Sequence, residues 1–197
     1  MNVAIIGTGL IGNKRAQSLP KKVKLVYSCD ANLQRAEEFA QKYSCAVTTQ
    51  WQKIIEDANI DAVIISTTNN MLTQIACEAI KKGKHVLIEK PGARNITEFQ
   101  KIIEAYRKNK VVIMVGYNHR YHPGIKKAKE IIETRQFGPI LFLRARYGHG
   151  GRLNYEKEWR FNPKIAGGGE LLDQGSHLID LVNFFTGPMT KVQGIVS

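Results

Sequence analysis

The sequence is poor in cysteine, short of acidic residues and without a long apolar run. No stretch approaches the ~18 apolar residues that a membrane-spanning helix needs, which excludes a helical membrane protein. The apolar start, Val3-Ala4-Ile5-Ile6, has no basic region before it and runs straight into glycines, unlike a secretory signal. A cytoplasmic location is therefore the expectation. The three cysteines, Cys29, Cys45 and Cys77, are odd in number and scattered, and fit neither a disulfide framework nor a zinc site. They read as reduced thiols in a core, and no metal is expected. Internal repeats and low-complexity segments are missing as well.

The shortage of acids leaves 29 Lys and Arg against 17 Asp and Glu, a net charge of +12. A nucleic-acid binder would need a basic stripe interleaved with aromatics, and none is seen. Lys21, Lys22 and Lys24 flank one turn, and Lys81, Lys82 and Lys84 another; Lys126, Lys127 and Lys129 share an expected helix. These read as solvated charges. Their summed field favours an anionic cofactor or substrate.

What is present is an ordinary globular composition, 43% apolar and 23% charged over 197 residues, enough for one large domain or two small ones. Strand-like and helix-like segments alternate up to residue 115. Strands are expected at Asn2–Ile6, Val23–Cys29, Ala46–Thr48, Asp61–Ser66, His85–Ile88 and Val111–Val115, with helices between them. Continuous apolar strands separated by helices imply an α/β fold: a doubly wound parallel sheet covered on both faces, as in a Rossmann domain. The turn-rich segment Gly116 to Gly124 marks a boundary, giving domains 1–117 and 118–197. The second domain reads as the start of an α+β unit with an open mixed sheet. A helix is expected at Ile125–Thr134, a strand at Ile140–Tyr147, a long loop over Gly148–Gly169, a helix at Glu170–Phe185 and a strand beginning at Lys191–Val196.

Gly7-Thr8-Gly9-Leu10-Ile11-Gly12 follows the first strand and opens a helix. The pattern G-x-G-x-x-G alone is a weak signal, but here it has its full strand–turn–helix setting. Gly7 permits the tight turn, Gly9 lets the backbone approach a pyrophosphate, and Gly12 lets helix and strand pack closely. The free N–H groups of the helix start, at Leu10, Ile11 and Gly12, face the phosphates. Asp30 ends the second strand 18 positions after Gly12, near the spacing of an acid that binds the adenosine ribose hydroxyls. A carboxylate there repels a 2′-phosphate, so the expected cofactor is NAD rather than NADP. The competing role of Asp30 is to cap the following helix.

Glu89-Lys90-Pro91 closes the fifth strand at the sheet edge where ligands bind in such folds. Alone it reads as a surface ion pair. Gly167-Gly168-Gly169 leads into a helix on which Asp173 and His177, four apart, share a face. Alone that pair is a structural hydrogen bond more often than a catalytic one.

Taken together, the glycine fingerprint, Gly83-Lys84-His85-Val86 running to Glu89-Lys90-Pro91, the segment Gly116-Tyr117-Asn118-His119-Arg120-Tyr121-His122-Pro123, and the triple-glycine helix with Asp173 and His177 resemble the Gfo/Idh/MocA oxidoreductase family along almost the whole chain. The resemblance implies a nicotinamide-dependent oxidoreductase acting on a secondary hydroxyl of a sugar, polyol or nucleotide-sugar. It implies catalysis by Lys90, Asp173 and His177, with Lys90 near the nicotinamide and His177 exchanging the hydroxyl proton. Glu89 is placed near the nicotinamide ribose, and Thr67 and Asn69 along the cofactor cleft. Arg120, Arg152, Tyr155, Trp159 and Arg160 are candidates for the substrate pocket, with ordinary loop packing as the alternative. A homo-oligomer is implied too. Other chemistries on the same fold stay open: imine or biliverdin-type reduction, an NAD-dependent glycosidase, or a non-catalytic dinucleotide-binding regulator.

The sequence departs from the family pattern after the fourth strand, where Thr68 and Leu72 stand in place of a common proline and histidine. It also stops where the family's second sheet gathers strands. A fragment or a truncated chain is expected to leave apolar faces uncovered, with poor solubility or burial in an oligomer as the result.

Overall fold

The computed structural model describes residues 1–148 and 153–195. Six strands form one parallel sheet: β1 (Asn2–Ile6), β2 (Lys24–Cys29), β3 (Ala46–Thr48), β4 (Ala62–Ile65), β5 (His85–Ile88) and β6 (Ile113–Val115). Their order across the sheet is β3-β2-β1-β4-β5-β6. The chain winds outward from β1 in one direction and from β4 in the other. The switch point, where such sheets bind ligands, therefore lies between the carboxyl ends of β1 and β4.

The interlocked helices follow from apolar spacing and caps. In β1, Ala4 and Ile6 face one side and Val3 and Ile5 the other, because side chains alternate along a strand. The first side packs on α4 (Asn69–Lys81) and α5 (Ile96–Arg107) through Leu72, Ile75, Ala79, Ile80 and Ile102. The second packs on α1 (Leu10–Gln17) and α2 (Leu33–Tyr43) through Ala16 and Phe39. Between β3 and β4 lies the short α3 (Trp51–Glu56). Asn32 accepts the Arg35 N–H at 3.0 Å and starts α2; Asn95 does the same for Glu98 at 2.9 Å and starts α5. Leu72, which stands where the family often carries a histidine, is fully buried among these apolar side chains. It serves the core.

One of the lysines read as solvated is not. Lys84 is 6% exposed, and its amine donates to the carbonyls of Asp57 and Ile60, both at 2.7 Å. It satisfies backbone acceptors just beyond α3, a role the sequence pattern does not reveal.

Beyond β6 a 3₁₀ turn (Asn118–Tyr121) leads into α6 (Pro123–Thr134), with Pro123 at the first helical turn, where its missing N–H costs nothing. The strand expected at Ile140–Tyr147 does not form: the segment is irregular, with no ladder partner among the described residues. The described part of the strand expected from Lys191 is likewise unpaired, and Val196 lies outside the described residues. A strand exists only through a neighbour that accepts its hydrogen bonds, so apolar alternation alone cannot create one. Two 3₁₀ turns, Tyr155–Lys157 and Trp159–Phe161, and the short α7 (Pro163–Ala166) occupy the expected loop. The last helix begins as a π turn, Leu171–Gly175, and continues as α8 (Ser176–Thr186). Among the described residues no helix is long and apolar enough to cross a membrane.

Candidate active site

The glycine loop at the switch point is built by steric necessity. Gly7 has φ +95°, and a Cβ on it would lie 2.4 Å from the Ser66 carbonyl oxygen at the end of β4. A Cβ on Gly12 would lie 2.1 Å from the Gly7 carbonyl oxygen. Above Gly9, by contrast, there is open space within 4 Å. The loop therefore presses on the protein at Gly7 and Gly12 and leaves a bare backbone surface at Gly9, beside the N-terminus of α1. No acidic residue occupies the first turn of α1 to cancel its positive potential. This cradle fits a pyrophosphate.

Asp30 sits directly beside it. Its carboxylate accepts from the Thr8 N–H at 2.9 Å and the Thr8 hydroxyl at 3.2 Å, and from the Asn32 N–H at 3.0 Å. Asp30 does not cap α2, since Asn32 does. The exposed Arg35 places Nη1 3.6 Å from Asp30 Oδ1. Thr67 and Asn69 follow β4; the Asn69 amide is buried and donates to the Ala166 carbonyl at 2.8 Å, joining the two halves of the chain.

Glu89 and Lys90 are adjacent in sequence yet find different partners. Glu89, 8% exposed, accepts from Arg15 Nε of α1 at 2.5 Å, close to Gly116. The Lys90–Pro91 peptide bond is cis. Lys90 Nζ donates to the backbone oxygen of Asp173 at 2.8 Å and to its carboxylate. The other carboxylate oxygen of Asp173 lies 3.3 Å from Arg160 Nε. Asp173 thus bridges a lysine at the sheet edge and an arginine of the following loop.

Asp173 belongs to the π turn and His177 to the first turn of α8. π turns inside helices frequently mark functional sites, because they re-aim side chains. His177 is 5% exposed, and its Nδ1 has no hydrogen-bond partner among the described residues. Its ring stacks on His119, with centroids 3.9 Å apart and planes 15° apart. Tyr117 and Tyr147 present their rings edge-on at 5.8 and 6.3 Å. Burial, the facing His119 ring and the nearby Lys90 charge push the His177 imidazole down to about 4. Burial and Lys90 lower His119 too. Burial and the Asp180 charge raise the Tyr117 phenol.

The substrate-pocket candidates separate. Trp159 and Arg160 line a cleft of about 280 Å³ with Asn69, Phe161, Glu170 and Asp173. Tyr155 is outside that lining, with its hydroxyl 3.4 Å from Glu170. Arg120 is committed elsewhere: its guanidinium holds Asp180 through two hydrogen bonds of 2.7 and 2.5 Å. Arg152 lies outside the described residues. Lys90 and His177 are not among the lining residues of the cleft, which reaches the pair through Asp173.

Residues 1–117 match the family model described as oxidoreductase family, NAD-binding Rossmann fold. Residues 125–197 match the GFO/IDH/MocA C-terminal domain. The chain belongs to the Gfo/Idh/MocA family. Levoglucosan dehydrogenase of Pseudarthrobacter phenanthrenivorans is 32% identical, over all of this chain and 54% of that protein. A solved levoglucosan dehydrogenase in complex with NADH superposes with a TM-score of 0.83 at 30% identity, over 95% of this chain and 54% of that one. Myo-inositol 2-dehydrogenase from Lactobacillus plantarum gives a TM-score of 0.85 at 27% identity, over 95% and 56%. The chain therefore spans about half the length of the relatives it matches.

For a Gfo/Idh/MocA chain, sequence reasoning singled out Lys90, Asp173 and His177 as candidates and did not single out the residues that surround them. His119, Tyr117 and Asp180 were visible only as part of the junction segment and as one more acid on a helix. The signal that points to Asp180 is its spacing of three from His177, which puts both on one helix face.

Proposed function

We propose that this chain carries the dinucleotide site and the reacting residues of an NAD-dependent dehydrogenase acting on a secondary hydroxyl of a sugar, polyol or nucleotide-sugar. One observation carries the reading. Lys90 from the end of β5 and Asp173 from the π turn, 83 positions apart, are hydrogen-bonded, and the buried His177 ring lies within reach of the Lys90 charge. A lysine, an aspartate and a histidine converging where the two halves of the chain meet suit alcohol oxidation, which removes a hydride and a proton from one carbon and its oxygen.

The dinucleotide, when bound, supplies the hydride acceptor. His177, uncharged at neutral pH, is a competent acceptor for the hydroxyl proton. Lys90 offers its ammonium to the oxygen as negative charge develops there. Asp173 holds the lysine and is itself held by Arg160 through its other carboxylate oxygen, so the amine is aimed before a substrate arrives. Glu89, held by Arg15, supports the nicotinamide end of the cleft. The aromatic face of Trp159 and the polar groups of Arg160, Asn69 and Glu170 suit a hydroxylated ring. The relatives' names, levoglucosan and myo-inositol dehydrogenases, support a neutral carbohydrate or polyol.

The protein is assayed for NADH formation against a panel of sugars, polyols and nucleotide-sugars. Lys90→Ala and His177→Ala are expected to lower turnover by roughly 10²–10⁴-fold, the range for a lost acid–base or electrostatic group. NADH affinity in His177→Ala stays within a few-fold of the parent. Turnover unchanged in either variant contradicts the assignment.

Cofactor choice belongs to the same reading. Asp30 lies where a ribose hydroxyl is received, and its charge disfavours a 2′-phosphate. Calorimetric titration is expected to give tighter binding of NAD(H) than NADP(H) by about tenfold or more, or ~1.4 kcal/mol. Asp30→Ser removes the repulsion and leaves Arg35 without its acidic partner, so NADP(H) binding should gain. Equal binding of both cofactors by the parent protein removes Asp30 from the site.

A further inference from the structure

Two separate connections run between the same two elements, the 3₁₀ turn Asn118–Tyr121 and α8. One is the stack of His119 on His177, at 3.9 Å between centroids. The other is the two-pronged ion pair of Arg120 and Asp180, in which Asp180 is 7% exposed. His119 and Arg120 are neighbours in sequence, and His177 and Asp180 are one helical turn apart. The two contacts therefore form a single clamp. A planar guanidinium holding a carboxylate through two bonds fixes rotation as well as distance.

The clamp is costly for stability alone. A buried ion pair recovers its desolvation only in good geometry, and apolar residues often serve as well. Two imidazoles face to face also cannot both be charged without repulsion, since like charges oppose ionisation. Yet α8 turns these groups inward and leaves the larger Ile179 half-exposed. Such an inversion makes sense if the ring held in place has a task.

We propose that His119, locked by the Arg120–Asp180 ion pair, is the positioning residue that fixes the plane of the His177 ring and opposes its protonation. The inference rests on the reading of His177 as the proton acceptor. Its consequence is chemical: an imidazole whose charged form is disfavoured stands uncharged and able to take the hydroxyl proton at neutral pH, and once it has taken that proton it passes it on readily. The groups acting on His177 are Lys90 at the sheet edge, Tyr117 and His119 at the junction, Tyr147 on the segment beyond α6, Asp173 on the π turn and Asp180 on α8. Lys90 and His119 oppose its charge, while Asp173 and Asp180 favour it.

The test follows histidine ring signals by NMR across pH, in the protein without substrate, with His177 assigned by its loss in His177→Gln. His119→Phe keeps a ring against His177 and removes the second imidazole. The His177 midpoint is expected to rise by about half a unit or more, a modest part of the shifts that charged neighbours produce. His119→Lys puts a fixed cation against the same ring, and the midpoint is expected to fall. Packing that merely loosens admits water and moves both midpoints up. A midpoint unmoved by His119→Phe, or one that rises in both arms, overturns the proposal. The assay of His177→Ala is independent: full turnover there would remove the proposed reaction and leave the measured coupling of the two rings intact.

Discussion

Helices α4 and α8 are built inside out relative to each other. In α4 the buried face is Leu72, Ile75, Ala76, Ala79 and Ile80, with Asn69 and Thr73 at its start. In α8 the buried residues are Ser176, His177 and Asp180, while Ile179 is 48% exposed. The same contrast extends around them. The first half of the chain encloses a sheet whose central strands are almost wholly buried on both faces. The second half leaves Phe137, Leu141, Phe142 and Leu153 more than four-fifths exposed. Apolar burial stabilises by about 25 cal/mol per Å², so the first region is where the folding free energy resides. In α8 the second region buries Ser176, His177 and Asp180, polar groups whose burial contributes less to stability than apolar burial does.

Substitutions can break this contrast. The largest effect is expected at Gly12, whose added Cβ meets backbone 2.1 Å away. Gly12→Val should cost more than the 1–3 kcal/mol typical of overpacking and prevent cooperative folding. Gly9→Val, with open space around it, should fold with an unchanged urea midpoint and lose dinucleotide binding. A Gly9→Val protein that binds NADH as the parent does would show that the loop at Gly9 does not receive the pyrophosphate.

The next effect compares the two helices directly. Leu72→Ala, at a fully buried position, is expected to cost about 2–5 kcal/mol in urea unfolding. Ile179→Ala, half-exposed, should cost well under about 1 kcal/mol. Similar costs at both positions would mean that α8 buries its apolar face in the protein as it exists in solution.

The smallest effect sharpens the chemical side. The folded His177 imidazole is pushed below its ordinary value to about 4, so the unfolded chain binds more protons between roughly pH 6.5 and 4. Its contribution to stability is complete above that window and is lost as pH falls through it. The loss is expected to be about 1–3 kcal/mol across the window. His177→Gln should flatten this part of the stability–pH curve. An unchanged slope would show that the ring is not held uncharged.

Much of the first half was legible in the sequence because its signals are local. A strand running into Gly7-Thr8-Gly9 and a helix must place glycines at the turn, since no other residue fits against Ser66. Asn32 and Asn95 announce their helices by a side chain that reaches its own backbone. Elsewhere local signals failed. Ile140–Tyr147 has the apolar content of a strand but no neighbour to complete a ladder among the described residues. Lys84 looks like any surface lysine until α3 and the following turn supply its two carbonyls.

The sequence by itself determined the doubly wound sheet, the phosphate loop with its acidic neighbour Asp30, and the three residues Lys90, Asp173 and His177 as candidates. These depend on periodicity, on φ, and on spacings of a few residues, all of which are written along the chain. Only the tertiary structure decided which charges meet. Glu89 leaves its neighbour Lys90 for Arg15, 74 positions away, and Lys90 takes Asp173, 83 positions away. Arg120 closes on Asp180, and His119 comes to lie flat against His177. Partners so far apart in sequence are chosen by where strands end and helices turn, because a charge interacts with what lies within a few ångströms of it.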